Sequence, residues 1–128
     1  MLWININNTR NFIKKHQKVD ILVLNTGGPK PKQFFNITEK EWQMYHNQLF
    51  LGFCIILKKL KIKNSGYIFA ITSDAIKTLN PDLIISTSYR LAFSSVFKLV
   101  SKEFAKRDIC CVNIAPGAIN TDRVRQLD

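Results

Sequence analysis

The sequence predicts an α/β domain in which three parallel strands are joined by long crossover helices. Three short, nearly continuous apolar runs, at about residues 19–24, 67–72 and 109–114, have the length and composition of buried strands. Two long helical patterns, at about 41–60 and 84–106, separate these runs. Strands that alternate with single helices favour right-handed crossovers and a parallel sheet. We therefore expect one sheet whose strands all end on the same edge.

Local signals set the ends of these elements. The charged segment 8–18 is typical of the end of a surface helix that precedes the first strand. Thr38 followed three residues later by Glu41 is a capping-box pattern, which predicts the start of the next helix. Turn residues at 64–66 end that helix, and those at 115–117 close the third strand.

Composition places the chain among folded proteins of one domain. Of the 128 residues, 46% are hydrophobic and 22% are charged, which supplies a core and excludes the disordered class. The odd number of cysteines, two of them adjacent, matches neither a disulfide framework nor a metal-binding spacing. We expect no metal site, and reduced, buried thiols at the cysteines, which are Cys54, Cys110 and Cys111.

The chain is strongly basic, with a net charge of +10 and lysines grouped at 14–15, 30–32 and 58–63. Such a chain attracts nucleic acid, acidic membranes or phosphorylated ligands. The lysines lack the interleaved aromatic residues of a nucleic-acid platform. We therefore expect mostly solvated charge, with cofactor phosphates as the next candidate and nucleic acid as the last.

No segment of the sequence predicts membrane insertion or secretion. The longest apolar run, 49–57, is about half the length of a membrane span. Residues 1–10 lack the apolar stretch of a secretory signal. These features predict a cytoplasmic protein.

The chemistry is expected at the carboxyl edge of the sheet, because ligands of open parallel sheets bind beyond the ends of the strands. The residues at the three predicted strand ends are 25–28, Ser73 and 116–121.

Three segments at these strand ends resemble a known family. Residues 20–27, Asp-Ile-Leu-Val-Leu-Asn-Thr-Gly, are similar to a strand and turn with the pattern Asp-Ile-Leu-Val-Asn-Asn-Ala-Gly. Residues 66–73 resemble a strand that delivers a catalytic serine, and 116–122 resemble a Pro-Gly-x-Ile-x-Thr-Asp loop. On these motifs the chain is identified as a divergent member of the short-chain dehydrogenase/reductase family, similar to oxidoreductases of the 3-oxoacyl carrier-protein reductase type.

The resemblance implies a partial Rossmann-like, doubly wound sheet and hydride transfer between NAD or NADP and a small carbonyl or alcohol substrate. It also implies a homo-oligomer formed through the helices at 41–60 and 84–106. The cofactor contacts that it implies lie at the strand ends and on the second long helix: Asn25, Thr26, Gly27, Arg90, Pro116, Gly117, Ile119 and Thr121.

The residues at the family's catalytic positions depart from the family pattern. The family uses a serine, a tyrosine that moves a proton and, four residues later, a lysine that lowers the tyrosine pKa. Ser73 matches the serine, but Ser86 and Arg90 stand at the tyrosine and lysine positions, and Leu49 replaces a family asparagine. Arg90 keeps the charge but cannot release a proton, and Ser86 is a poor acid beside a phenol of pKa about 10. Tyr89, three residues from Ser86 on the same helix, is a displaced catalytic candidate.

The family's glycine-rich pyrophosphate loop has no counterpart in this sequence. We therefore expect residues 1–128 to form a single incomplete domain, which lacks this first part and the C-terminal substrate segment. The predicted function is an oxidoreductase fragment that is inactive on its own. The alternatives are a non-catalytic scaffold and, more weakly, a basic nucleic-acid-binding domain. Open strand edges on both sides of the sheet predict marginal stability, self-association or a partner.

Overall fold

The structure, a computed structural model, describes residues 6–16 and 18–117. The strands are β1 (Lys18–Leu24), β2 (Lys61–Ile71) and β3 (Cys110–Ile114). The helices are α1 (Ile6–Lys15), α2 (Glu39–His46), α3 (Gly52–Lys59), α4 (Ala75–Thr78) and α5 (Ile84–Ala105). A π-helical turn, Asn47–Leu51, joins α2 to α3, and short 3₁₀ turns lie at Phe34–Asn36 and Pro81–Leu83.

The three strands form one parallel sheet in the order β1-β2-β3, which confirms the predicted fold class. Leu24 pairs with Ala70, and Ala70 pairs with Asn113, so the carboxyl ends of all three strands lie on one edge. The helices that join the strands cross over the sheet, as parallel pairing requires.

The start of β2 differs from the prediction. Residues 64–66 do not end the preceding helix, which stops at Lys59; they lie inside β2. Val19 pairs with Ile62, but Ile21 pairs with Tyr67, so four residues of β2 form a bulge opposite a single residue of β1. Gly66 is required there, because a Cβ atom would lie 2.6 Å from the Asp20 carbonyl oxygen. A bulge of this kind depends on the partner strand, and the periodicity of β2 alone does not reveal it.

One face of the sheet packs against the helices and forms the core. Leu22, Leu24, Ile68 and Ala70 are buried on this face, where the strands alternate between buried and exposed side chains. The aromatic rings of α3 and α5 cover them. The ring centroids of Phe53 and Phe93 are 5.0 Å apart and those of Phe93 and Phe97 are 5.7 Å apart.

The other face of the sheet, here called the bare face, points its side chains away from the helices of the described residues. Ile21 and Val23 of β1 are 59% and 57% exposed. Tyr67, their neighbour on β2, is 47% exposed and stacks on Phe69. Apolar side chains at such exposure mark a surface that is suited to a further layer of protein.

The capping box at the start of α2 is confirmed. The Thr38 hydroxyl accepts a hydrogen bond from the Glu41 amide at 3.2 Å, and the Glu41 carboxylate accepts one from the Thr38 amide at 2.9 Å. The Lys32 ammonium lies 2.8 Å from the same carboxylate. The Lys32 contact and the hydrogen bonds from Thr38 lower the Glu41 pKa from 4.5 to about 2.

By length and composition alone, the segment Pro81–Ala105 could cross a membrane. In the structure this segment contains α5, which places Phe93 and Phe97 in the core against the sheet. Its position as a crossover helix accounts for these two rings, whereas Leu91 and Leu99 on the same helix remain exposed.

The cysteines are free thiols, as predicted, but their burial is not uniform. Cys54 and Cys111 are partly buried, and burial raises the pKa of both thiols. Cys110 is exposed, so the expectation of a buried thiol is wrong at this position. The reason is strand alternation, since Cys110 pairs with the exposed Tyr67 on the bare face.

Candidate functional site

The carboxyl ends of the strands meet in one place, here called the strand-end edge and formed by residues 25–28, Ser73 and 116–117. The amide of Thr72 donates to the Ile114 carbonyl at 2.8 Å, and the amide of Asp74 donates to the Pro116 carbonyl at 3.0 Å. These two bonds continue the β2–β3 pairing past the ends of the strands. The predicted meeting of the strand ends is thus present in the structure.

Arg90 ties β1 to β2 at this edge. Its side chain is buried, with 8% exposure, and reaches from α5 to both strands. Nη2 donates to the Thr26 carbonyl at 3.1 Å, and Nη1 donates to the Ile71 carbonyl at 3.1 Å. The planar guanidinium suits this position, because its donors point in fixed directions and can reach two separate acceptors.

Ser86 belongs to the same buried cluster. Its hydroxyl oxygen accepts a hydrogen bond from Arg90 Nε at 3.1 Å, and the residue is 6% exposed. Four residues along a helix place the two side chains on the same face. The residues at the family's tyrosine and lysine positions therefore bind each other.

Tyr89 points away from this cluster. Its hydroxyl donates to the Trp42 carbonyl at 3.1 Å, and its ring packs edge-on against the rings of Trp42 and His46. Burial raises the pKa of the phenol. The structure therefore places Tyr89 at the contact between α5 and α2, where a raised pKa opposes proton release.

Ser73 lies between the end of β2 and the short helix α4. Its hydroxyl accepts from the Ala75 amide at 3.2 Å and donates to the Asp74 carboxylate at 3.2 Å. Ser73 is partly exposed, whereas Ser86 and Arg90 are buried. Of the four candidate catalytic residues, the structure brings Ser86 and Arg90 into contact and gives Ser73 and Tyr89 other partners.

Gln48 contacts the glycine turn, and the sequence analysis missed it. Its Nε2 donates to the Thr26 hydroxyl at 3.0 Å and to the Gly27 carbonyl at 2.9 Å. Gln48 lies in the π-helical turn, whose extra residue shifts the faces of the helix. A π turn has no clear sequence signal, and a regular helical count assigns the residues after it to the wrong face.

A second network that the sequence analysis missed joins β2, β3 and α5. The Thr72 hydroxyl donates to Asn113 Oδ1 at 2.8 Å, and Asn113 Nδ2 donates to the Ser94 hydroxyl at 3.1 Å. Ser94 in turn donates to the Arg90 carbonyl at 2.8 Å. The helix that holds Arg90 is therefore fixed to the ends of β2 and β3 by polar side chains.

The remaining candidate cofactor-binding residues at the strand-end edge are exposed where the structure describes them, apart from the partly buried Pro116. Asn25 and Gly27 are exposed, and a Cβ atom built on Gly27 would meet nothing within 4 Å. Gly117 is also exposed, next to Pro116. Ile119 and Thr121 lie outside the described residues. Within the described ranges, no group of three metal-binding side chains is present.

Comparison with known proteins identifies the family. A family profile described as short chain dehydrogenase matches residues 5–128. The chain belongs to the short-chain dehydrogenase family. The predicted family is thus confirmed.

Sequence relatives agree with this assignment. The chain is 30% identical over 118 residues to the 7α-hydroxysteroid dehydrogenase of Escherichia coli K12, and the match covers 90% of this chain and 46% of the relative. It is 28% identical over 126 residues to the 3-oxoacyl-[acyl-carrier-protein] reductase FabG of Chlamydia pneumoniae, with 93% and 50% of the two chains covered. The chain therefore spans about half the length of the curated relatives it matches.

Solved structures confirm the fold. BdcA in complex with NADPH superposes with a TM-score of 0.86 at 16% identity, covering 96% of this chain and 52% of that one. The angucycline C-6 ketoreductase LanV with bound NADP gives a TM-score of 0.84 at 16% identity, covering 95% and 55%. These likenesses show that the described chain has the fold of those proteins.

Proposed function

We propose that this chain supplies the nicotinamide-side half of an NAD(P)-dependent oxidoreductase and does not by itself catalyse hydride transfer. Membership of the short-chain dehydrogenase family supports the oxidoreductase assignment. The joined strand ends support a nucleotide site, because this is the edge where ligands of such sheets bind. In the whole protein, the reaction is reduction of a carbonyl compound or oxidation of an alcohol.

The residues at the strand-end edge fit a bound nicotinamide nucleotide. The open space at Gly27 and the exposure of Gly117 allow the ligand to approach the backbone closely. When bound, the nucleotide supplies or accepts the hydride. Asn25, Thr26 and Gly27 would lie against its adenosine side, and the loop that starts at Pro116 would lie against its nicotinamide side.

The contacts of Arg90 are the observation that supports inactivity. Two of its guanidinium nitrogens bind backbone carbonyls, and the third binds Ser86. A guanidinium does not release a proton under these conditions, and an alkyl hydroxyl is a far weaker acid than a phenol. Arg90 and Ser86 thus hold the strand ends in place and do not move a proton between solvent and substrate.

Ser73 and Tyr89 do not replace this missing chemistry. The Ser73 hydroxyl can bind a substrate carbonyl, and it needs a proton donor beside it for turnover. The Tyr89 hydroxyl donates to a carbonyl of α2 and has a raised pKa. We assign Ser73 to substrate positioning and Tyr89 to packing.

The test is cofactor binding measured separately from turnover. The 128-residue chain is titrated with NADPH and NADH by nucleotide fluorescence, and nucleotide oxidation is followed with a panel of ketones. We expect binding without oxidation. Oxidation that disappears in Ser73→Ala would refute the assignment of inactivity. Failure of both nucleotides to bind would instead support the scaffold alternative, in which the fold is kept for its surfaces alone.

We further propose that two copies associate through α2 and α5. Met44 on α2 is 47% exposed, and Leu91 and Leu99 on α5 are 46% and 65% exposed, so both helices present apolar side chains to solvent. The oligomeric states of Leu99→Lys and Val23→Lys are measured by light scattering. They distinguish association through this helix surface from association through the bare face. Dissociation in Leu99→Lys alone supports the helix interface, and dissociation in Val23→Lys alone refutes it.

A further inference from the structure

A pocket of about 680 Å³ lies at the amino edge of the sheet, opposite the strand-end edge. It is here called the basic pocket. Elements that are distant in sequence meet there, namely the end of α1, the starts of β1 and β2, and the ends of α3 and α5. The lining residues are Ile13, His16, Lys18, Lys59, Lys61 and Arg107.

The fold places two of these lysines side by side. Lys18 and Lys61 are paired residues of neighbouring parallel strands, so their side chains leave the sheet on the same face. Like charges on paired strand residues destabilise a sheet. Lys59 and Arg107 add two further positive charges to the same pocket.

No carboxylate lines the pocket among the described residues. The acidic residues on the adjoining elements have other partners. Asp20 pairs with Lys63 at 2.7 Å, and Glu103 pairs with Lys106 at 2.7 Å. The Asp108 carboxylate, next to Arg107 in the chain, accepts a hydrogen bond from the Ser65 hydroxyl at 2.9 Å. The positive charge of the pocket is therefore not neutralised by the ion pairs of the described chain.

Helix ends offset only part of this charge. The carboxyl ends of α1, α3 and α5 lie at the pocket, and each supplies about half a negative charge. Basic residues in the last turns already complement these ends, namely Lys14 and Lys15 of α1, Lys58 and Lys59 of α3, and Lys102 of α5. The three other cationic groups of the pocket, Lys18, Lys61 and Arg107, then remain in excess.

Arg107 is exposed, and two hydrogen bonds to β2 hold its guanidinium in position. Its Nε donates to Asn64 Oδ1 at 3.1 Å, and its Nη2 donates to the Ile62 carbonyl. Its own carbonyl accepts from the Ser65 amide at 3.1 Å. These bonds use two of the five guanidinium N–H groups, so the other donors are available at a fixed place in the pocket.

From this geometry we propose that the basic pocket binds a compact, soluble anion that bears two or more phosphate groups. A concave site lined by several cationic residues favours several negative charges close together over a single one. A volume of this size is typical of small-molecule sites. The pocket is separate from the strand-end edge, so the proposal does not rest on nicotinamide binding there.

Inorganic pyrophosphate is the probe, titrated into the chain by isothermal calorimetry at moderate salt. We expect one site per chain, and affinity about tenfold weaker in Lys61→Met because one charge-assisted contact is lost. Lys77→Met is the matched control, since Lys77 is an exposed lysine on α4 at the opposite end of the sheet. Circular dichroism shows whether each variant keeps its fold.

Two results would overturn the proposal. One is that Lys61→Met binds pyrophosphate as tightly as the unmodified chain, or that Lys77→Met loses as much pyrophosphate affinity as Lys61→Met. The other is tight binding of a single-stranded oligonucleotide or of phosphatidylserine vesicles that pyrophosphate does not displace. That outcome would assign the basic residues to a macromolecular surface.

Discussion

The substitution Arg90→Met tests whether the buried guanidinium holds the strand ends together. Methionine keeps the length of the aliphatic stem and removes every donor. The carbonyls of Thr26 and Ile71 then lose their Arg90 partner in a region that is largely buried. Each buried acceptor left unsatisfied costs about 1–3 kcal/mol, so two acceptors cost about 2–6 kcal/mol.

Part of this cost is offset, because the variant no longer buries a charged group. We therefore expect a net loss of about 3 kcal/mol in the free energy of unfolding. Arg90→Lys should lose less, since an ammonium keeps the charge but cannot reach both strands in the same way.

Urea unfolding followed by far-UV circular dichroism measures this loss. With a slope of about 2 kcal/mol per molar urea, the midpoint of Arg90→Met should fall by about 1.5 M. Lys98→Met is the control, because Lys98 is exposed on the same helix. Equal midpoints for Arg90→Met and Lys98→Met would show that the guanidinium contributes nothing to the joined strand ends, and the proposed role of Arg90 would be lost.

Three further outcomes follow from the site and its surroundings. Ser86→Tyr restores the residue type that the family pattern has at this position. We expect it to destabilise the chain by about 1–3 kcal/mol through overpacking of a buried site, and to produce no turnover. A gain in activity would contradict the roles proposed here. The lowered pKa of Glu41 means that the folded state resists protonating this carboxylate, so its stabilising contribution is present above pH 4.5 and is lost as the pH falls towards 2. Urea midpoints of the unmodified chain should fall faster over this range than those of Glu41→Gln, and parallel curves would contradict the assignment. Cys110 should react with a thiol reagent before Cys54 and Cys111, because burial raises the pKa of those two thiols. Peptide mapping after brief labelling checks the order of reaction.

Much of the fold was predictable because it depends on local patterns. Apolar runs ended by turn residues located β1 and β3 to within one residue, and the capping box at Thr38 located the start of α2. The start of β2 was predicted six residues too late, since the bulge at 63–66 exists only opposite β1. Local patterns contain no information about such pairing irregularities.

The candidate site was predictable in position and not in its contacts. Counting residues from Ser73 placed Ser86 and Arg90 at two catalytic positions of the family, and the structure puts both near the strand ends. The contact of Gln48 with Thr26 depends on the π turn, which a regular helical count does not include. Tyr89 was a candidate by spacing alone, but its hydroxyl lies against α2.

The sequence by itself determined the order of strands and helices and the family, and it predicted that Ser86 and Arg90 stand at the tyrosine and lysine positions of the family. Only the tertiary structure decided what those replacements do. Arg90 and Thr26 are 64 residues apart in the chain, and they meet because α5 packs on the sheet that contains β1. The basic pocket has the same origin, since Lys18 and Lys61 become neighbours only when their strands pair. Sequence patterns indicate which residues share a helix or a strand. Contacts between residues of different elements depend on strand register and side-chain direction, and packing determines both.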